Sequence, residues 1–162
     1  MIDHQLKFPL IKIRRNAGRF FEALVEWFDD EEDLTCLRYD KFEQRSDIGA
    51  ILIDESGRCR QIEDVVDRGP WGRGLCKLVN TIFREDRLAE YRYAMAPTIS
   101  WAEVRERVVD AIRANPGYWR DDEAVAGEDG PPRDEEEMLE ERIEAVRRST
   151  SMQELIAALR AD

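Results

Sequence analysis

Apolar positions along this chain switch between a period of two and a period near 3.6, and the switches mark its elements. Leu6, Phe8 and Leu10 alternate, then change phase to Ile11 and Ile13, which predicts a strand with a bulge near Pro9. Phe20, Phe21, Leu24, Val25 and Phe28 share a wide helical face opposite Glu22, Glu26 and Asp29. A deeply packed helix capped by Asn16 is expected there. The acidic run Asp29–Asp33 is expected to end that helix, with a short strand at Leu34–Tyr39. Ile48–Ile53 is apolar on both faces, the mark of a strand covered twice. Asp54–Gly57 then offers a turn, and Arg58–Ile62 its hairpin partner.

In the second half, three glycines and a proline make Asp67–Gly74 a loop. Leu75, Leu78, Val79, Ile82 and Phe83 form one helical stripe in a segment read as folded core. Tyr91, Tyr93 and Met95 alternate as in a strand. Ser100–Glu103 is a capping box opening a helix through Trp101, Val104, Val108 and Ile112, which Asn115-Pro116-Gly117 stops. Two further stripes, Leu139/Ile143/Val146 and Met152/Leu155/Ile156/Leu159, flank a second capping box at Ser151–Glu154. They predict an αα-hairpin. The sum is an α+β fold: a mostly antiparallel sheet with helices mainly on one face, plus an acidic C-terminal αα-hairpin. Residues 1–120 are expected to form the core domain, 121–133 an acidic Pro/Gly linker and 134–162 the hairpin.

Charge sharpens the picture. The chain has 25 Lys+Arg against 36 Asp+Glu, a net −11. Gly69–Arg120 holds nine basic against six acidic residues, whereas Asp121–Asp162 holds five against fourteen. The overall field opposes nucleic acid and anionic lipid, so nucleic acid is disfavoured as a partner without being excluded. No apolar run is long enough to cross a bilayer. The first residues lack a signal peptide's basic and apolar regions, and Cys36, Cys59 and Cys76 show no paired spacing. A reduced, cytoplasmic protein is expected.

Candidate chemistry is sparse. The loop Gly69–Gly74 has the glycine spacing of a phosphate-binding loop, but Leu75 and Cys76 stand where Lys and Ser/Thr must follow. What survives is an anion site built from Arg68, Trp71, Arg73 and Lys77 at a helix start, where backbone N–H groups point outward. Alternatively Trp71, with Arg84, Arg87 and Arg92, forms a stacking surface for single strands or a protein hot spot. The carboxylates of Asp29–Asp33 lack the alternation of a Ca²⁺ loop. His4 is the only histidine, which leaves zinc sites and Ser-His or Cys-His catalysis poorly served. No catalytic residue, metal ligand or cofactor is assigned, although a carboxylate-based metal enzyme stays as one alternative.

The hairpin stripes carry the functional expectation. They must be buried either on the chain's own domain, on a partner protein, or on a second copy. Leu139, Ile143, Val146, Met152, Leu155, Ile156 and Leu159, with Glu140 and Glu144 beside them, are read as partner-binding. The chain is thus expected to be a non-catalytic binding module, in one version an inhibitor or immunity-type blocker of a basic, nucleic-acid-handling protein. An anion- or nucleic-acid-binding domain centred on residues 68–77 is the second reading.

Overall fold

The computed structural model describes residues 7–15, 24–38, 45–119 and 134–160. In chain order the elements are β1 (Leu10–Ile13), β2 (Val25–Phe28), α1 (Glu31–Thr35), β3 (Cys36–Arg38), β4 (Ile51–Asp54) and β5 (Cys59–Pro70). Then come α2 (Gly74–Phe83), β6 (Asp86–Ala96), α3 (Trp101–Ala114), α4 (Pro116–Trp119), α5 (Glu135–Arg148) and α6 (Met152–Arg160). The strands form one curled antiparallel sheet in the order β2-β1-β4-β5-β6-β3, so the fold is α+β. Among the described residues no helix is long and apolar enough to cross a membrane.

Alternation along the strands divides the interior in two. Ile11, Val25, Ile53 and Cys59 point to the face covered by α3, α5 and α6. Leu10, Leu52, Ile62, Val65, Ala89 and Tyr91 point to the other, where Leu34 of α1 and Leu37 of β3 close the curl. Burial of each large apolar side chain contributes about 1.5–3 kcal/mol, so both layers matter to stability. Ser100 caps α3 by accepting from the Glu103 N–H at 3.2 Å. The start of α3 is pinned to the β4–β5 turn, where the Ile99 N–H donates to the Gly57 carbonyl at 3.0 Å. A Cβ at Gly57 would come within 2.3 Å of the Ile99 carbonyl oxygen, and φ is +76°. Only glycine fits there.

The αα-hairpin is present, and its stripes face inward. Ile143, Val146, Met152, Leu155, Ile156 and Leu159 are buried in the same cluster as Ile11, Ile53 and Val104, with Leu139 packed at its edge. Polar contacts fasten it: the Trp101 Nε1–H donates to the Ser149 carbonyl at 2.8 Å, and Arg142 donates to that of Leu159 at 2.6 Å. Of the homes open to these stripes, the chain's own sheet and α3 are the one occupied. Those side chains offer no free docking face, because withdrawing them would uncover the main core. Glu140 and Glu144 stay at the surface, facing Arg113 at 3.6 Å and Arg147 at 3.3 Å.

Other expectations need correction. Val25–Phe28 is a strand in continuous register with β1 (Leu10 opposite Phe28, Ile13 opposite Val25), not the end of a helix. Its β-branched and aromatic residues suit a half-buried pleat. The same register shows no bulge within β1. The phase change arises because β1 is an inner strand with Leu10 and Ile11 both fully buried on opposite faces. The acidic run opens a helix instead of closing one: Asp30 accepts from the Asp33 N–H at 2.9 Å as the N-cap of α1, and Glu31, Glu32 and Asp33 fill its first turn. Carboxylates favour that end of the helix dipole. Strand β5 runs on to Pro70, past the expected loop boundary, with register irregularities at Ile62/Asp64 and Asp67/Pro70. His4, Asn16, Phe20, Phe21 and the linker 121–133 lie outside the described residues.

Candidate functional site

Beyond Ile62, β5 has left β4 and continues paired with β6, forming an arm that ends in α2. The arm's exposed side chains are largely charged and mutually paired. Arg68 Nε donates to Glu90 at 2.7 Å, and Arg87 Nε donates to Asp67 at 2.7 Å. Burial would push the Asp67 carboxyl up. The hydrogen bonds from Arg87 and the Gly69 N–H outweigh it and hold the group below the usual carboxylate range.

Helix α2 is seated on the turn that ends the arm, by its polar side. The Trp71 N–H donates to the Asp86 carbonyl at 3.0 Å, and Asn80 Nδ2 donates back to the Trp71 carbonyl at 2.9 Å. Asn80 is the buried residue of the helix. A Cβ on Gly72 would lie 2.9 Å from Cys76 Sγ, so the loop needs glycine to approach the helix this closely. The opposite side of α2 faces outward. Leu75 is 76% exposed, Leu78 54%, Val79 36%, Ile82 64% and Phe83 67%. The stripe expected to belong to a folded core is therefore an outward apolar face, and nothing among the described residues covers it.

Between α1, the arm and the start of α2 lies a cleft of about 1090 Å³. It gathers three of the four expected anion-binding residues, Arg68, Trp71 and Arg73, while Lys77 is not on its wall. Opposite them stand Asp30, Glu31 and Glu32, with Tyr91 and Tyr93 on the floor. Arg68 is engaged by Glu90, and the α1 carboxylates repel an anion, so the arrangement weakens the anion reading. Burial, then the Glu31 carboxylate, push the Tyr93 phenol up to about 12. It stays a neutral donor at ordinary pH. Among the described residues no group of three or more His, Cys, Asp or Glu side chains converges on a metal-sized point.

Tyr91 links the cleft to a buried charge cluster that the sequence reading missed. Lys12 Nζ lies 2.8 Å from Glu26 and 2.9 Å from Asp47. Arg14 spans the same two carboxylates at 2.9 Å each, and Tyr91 Oη donates to Asp47 at 2.7 Å. Two cations and two anions cancel. Burial opposes ionisation of Asp47, but Lys12, Arg14 and the Tyr91 hydrogen bond prevail and hold its pKa down to about 2. Burial and the Asp47 charge conversely push the Tyr91 phenol far up. Every charged member is engaged by opposite charge, which suits a structural lock between β1, β2 and β6. The signal lay in Lys12 and Arg14 alternating with Ile11 and Ile13 on a strand otherwise buried on both sides. Compared with family models, curated proteins and solved structures, the chain matches none.

Proposed function

We propose that this chain is a protein-binding module rather than an enzyme, and that it docks through the outward face of α2. The inverted packing of that helix carries the reading: its asparagine is buried and its leucines face water. The five exposures amount to roughly three whole apolar side chains, on the order of 4–9 kcal/mol of burial left unrealised. Contiguous apolar faces of this kind mark sites of protein association, and a stripe spaced over two turns is the pattern that fits a groove or another helix. The helix carries a single charge, Lys77, on the side away from the stripe, so apolar fit would hold the partner. The sequence assigns docking to the stripes between Leu139 and Leu159; its support now lies at α2, because those stripes are buried in the chain's own core, Leu139 at its edge.

Replacing Ile82 by Asp tests the reading. The wild-type chain is expected to associate, with itself or with a protein from its host, and Ile82→Asp to lose that association while melting at the same temperature. Equal behaviour of the two chains in sedimentation and in affinity capture would remove α2 as the docking face.

A further inference from the structure

We infer that the occupant of the α2 face is the α2 of a second copy, the two helices lying antiparallel about a two-fold axis beside Val79. This rests on the docking reading above and names its partner. The stripe runs from Leu75 to Phe83 with Val79 at its centre. About an axis there, Leu75 of one copy meets Phe83 of the other and Val79 meets Val79, with Leu78 and Ile82 of each stripe beside them. A two-fold contact requires such a self-complementary patch.

Charge agrees with this arrangement. Within Gly74–Phe83 the only charged residue is Lys77, so the stripes meet without like charges in register. The flanks differ in sign: Arg73 and Lys77 at the start, Arg84, Glu85 and Asp86 after the end. Antiparallel crossing sets the basic start of one helix, Arg73 in particular, opposite Glu85 of the other. It also opposes the two helix dipoles favourably. A parallel pair would stack Arg73 on Arg73 and Glu85 on Glu85.

The net −11 does not forbid the contact, since the nearby carboxylates of α1 share their cleft with Arg68 and Arg73 and the other acidic helix is distant. The acidic helix α5, with α6, covers the part of the sheet that includes Ile53 and Cys59, whereas α2 follows Pro70. The intervening strand of β5 spans roughly 30 Å at 3.3 Å per residue. That exceeds the Debye length of about 8–10 Å at physiological salt several times over. Size sets the strength. Two faces of about three side chains each fall at the low end of specific interfaces, below roughly 1,200 Å² in total. A dissociation constant in the micromolar range, on the order of 1–100 μM, is expected.

Sedimentation of the full chain across micromolar to near-millimolar concentrations at 0.15 M salt tests this. The wild type is expected to pass from monomer to dimer. Leu78→Asp and Ile82→Asp should stay monomeric with unaltered circular dichroism and melting temperature, both side chains being exposed in the monomer. Arg73→Glu and Glu85→Arg should each weaken the dimer several-fold, and the double variant should recover most of the loss. A wild type that stays monomeric throughout overturns the second copy as occupant. Dimerisation that survives both Asp variants overturns it as well, and absence of recovery in the double variant overturns the antiparallel pairing. If the monomeric wild type captures a foreign protein that Ile82→Asp does not, the docking reading stands and only the occupant is wrong. If neither associates with anything, both fail.

Discussion

Replacing Asp47 by Asn removes one negative charge from the buried cluster while keeping its volume, so the effect isolates the charge. In the native chain Lys12 and Arg14 are 1% and 3% exposed and share Asp47 and Glu26. The variant leaves two buried cations facing one carboxylate, and breaking a buried pair in this way costs about 3–5 kcal/mol. The pH dependence gives a second, independent signature. Asp47 is held at about 2 against an ordinary 3.8, a difference equivalent to about 2 kcal/mol. Because the folded pKa lies below the unfolded one, this stabilisation is complete above the unfolded pKa and is lost as pH falls toward 2. About 1 kcal/mol of it should be gone by pH 3. Urea denaturation of both chains at pH 7, 5, 4 and 3 measures the difference directly. It should be large and flat from pH 7 to 5, then shrink as the wild type alone loses its advantage. A gap under 1 kcal/mol at pH 7, or one that stays constant down to pH 3, would show that the cluster is not held by the Asp47 charge.

Three further perturbations separate the elements. Ile143→Ala should cost about 2–5 kcal/mol in a chemical denaturation curve, since Ile143 is fully buried against the sheet layer. Removing 134–160 altogether should abolish the cooperative thermal transition; a truncated chain that still melts cooperatively would mean the hairpin is an appendage. Asn80→Ala should cost about 1–3 kcal/mol through the Trp71 carbonyl it leaves unpaired. Amide exchange should speed up in α2 and nowhere in α3 or α5, and uniform acceleration would contradict a locally seated helix.

Much of the fold was legible because several signals coincided. The Ser100 box, a stripe through Val104, Val108 and Ile112, and an Asn-Pro-Gly stop all agreed, and α3 begins and ends within a residue of those marks. The αα-hairpin was equally well signed. By contrast, the window Phe20–Phe28 is apolar often enough to satisfy both periods. Its strand character at Val25–Phe28 comes from pairing with β1, which no local pattern shows. The charge cluster was hidden for a related reason. Nothing local marks Lys12 and Arg14 as buried; Asp47 and Tyr91, 33 and 44 residues apart from their respective partners, close over them. Long-range neutralisation decides their burial, and the local pattern carries only half of it.

The helices α2 and α6 pose the same question and receive opposite answers. Both are short and amphipathic, and periodicity identifies the apolar face in each without saying where it points. The answer lies in what the rest of the chain presents to them. Opposite α6 the sheet and α3 offer Ile11, Ile53 and Val108, so Leu155 and Leu159 turn inward and are lost to any partner. The arm that leads to α2 carries Asp67, Arg68, Arg87 and Glu90, already joined in two ion pairs, and nothing among the described residues covers the stripe of α2. Pressing leucines against those pairs would strip their water without providing new partners, and desolvating charge is costly. A helix with Asn80 on its polar side can instead be seated on the turn ahead of it through the Trp71 carbonyl, with its leucines outward. The seat of α2 is thus polar, and its leucines stay outward. The outward face of α2 therefore depends on what its neighbours offer as much as on the stripe itself. The acidic C-terminal segment, which looked most like an interaction element in the sequence, supplies instead the lid of the main core.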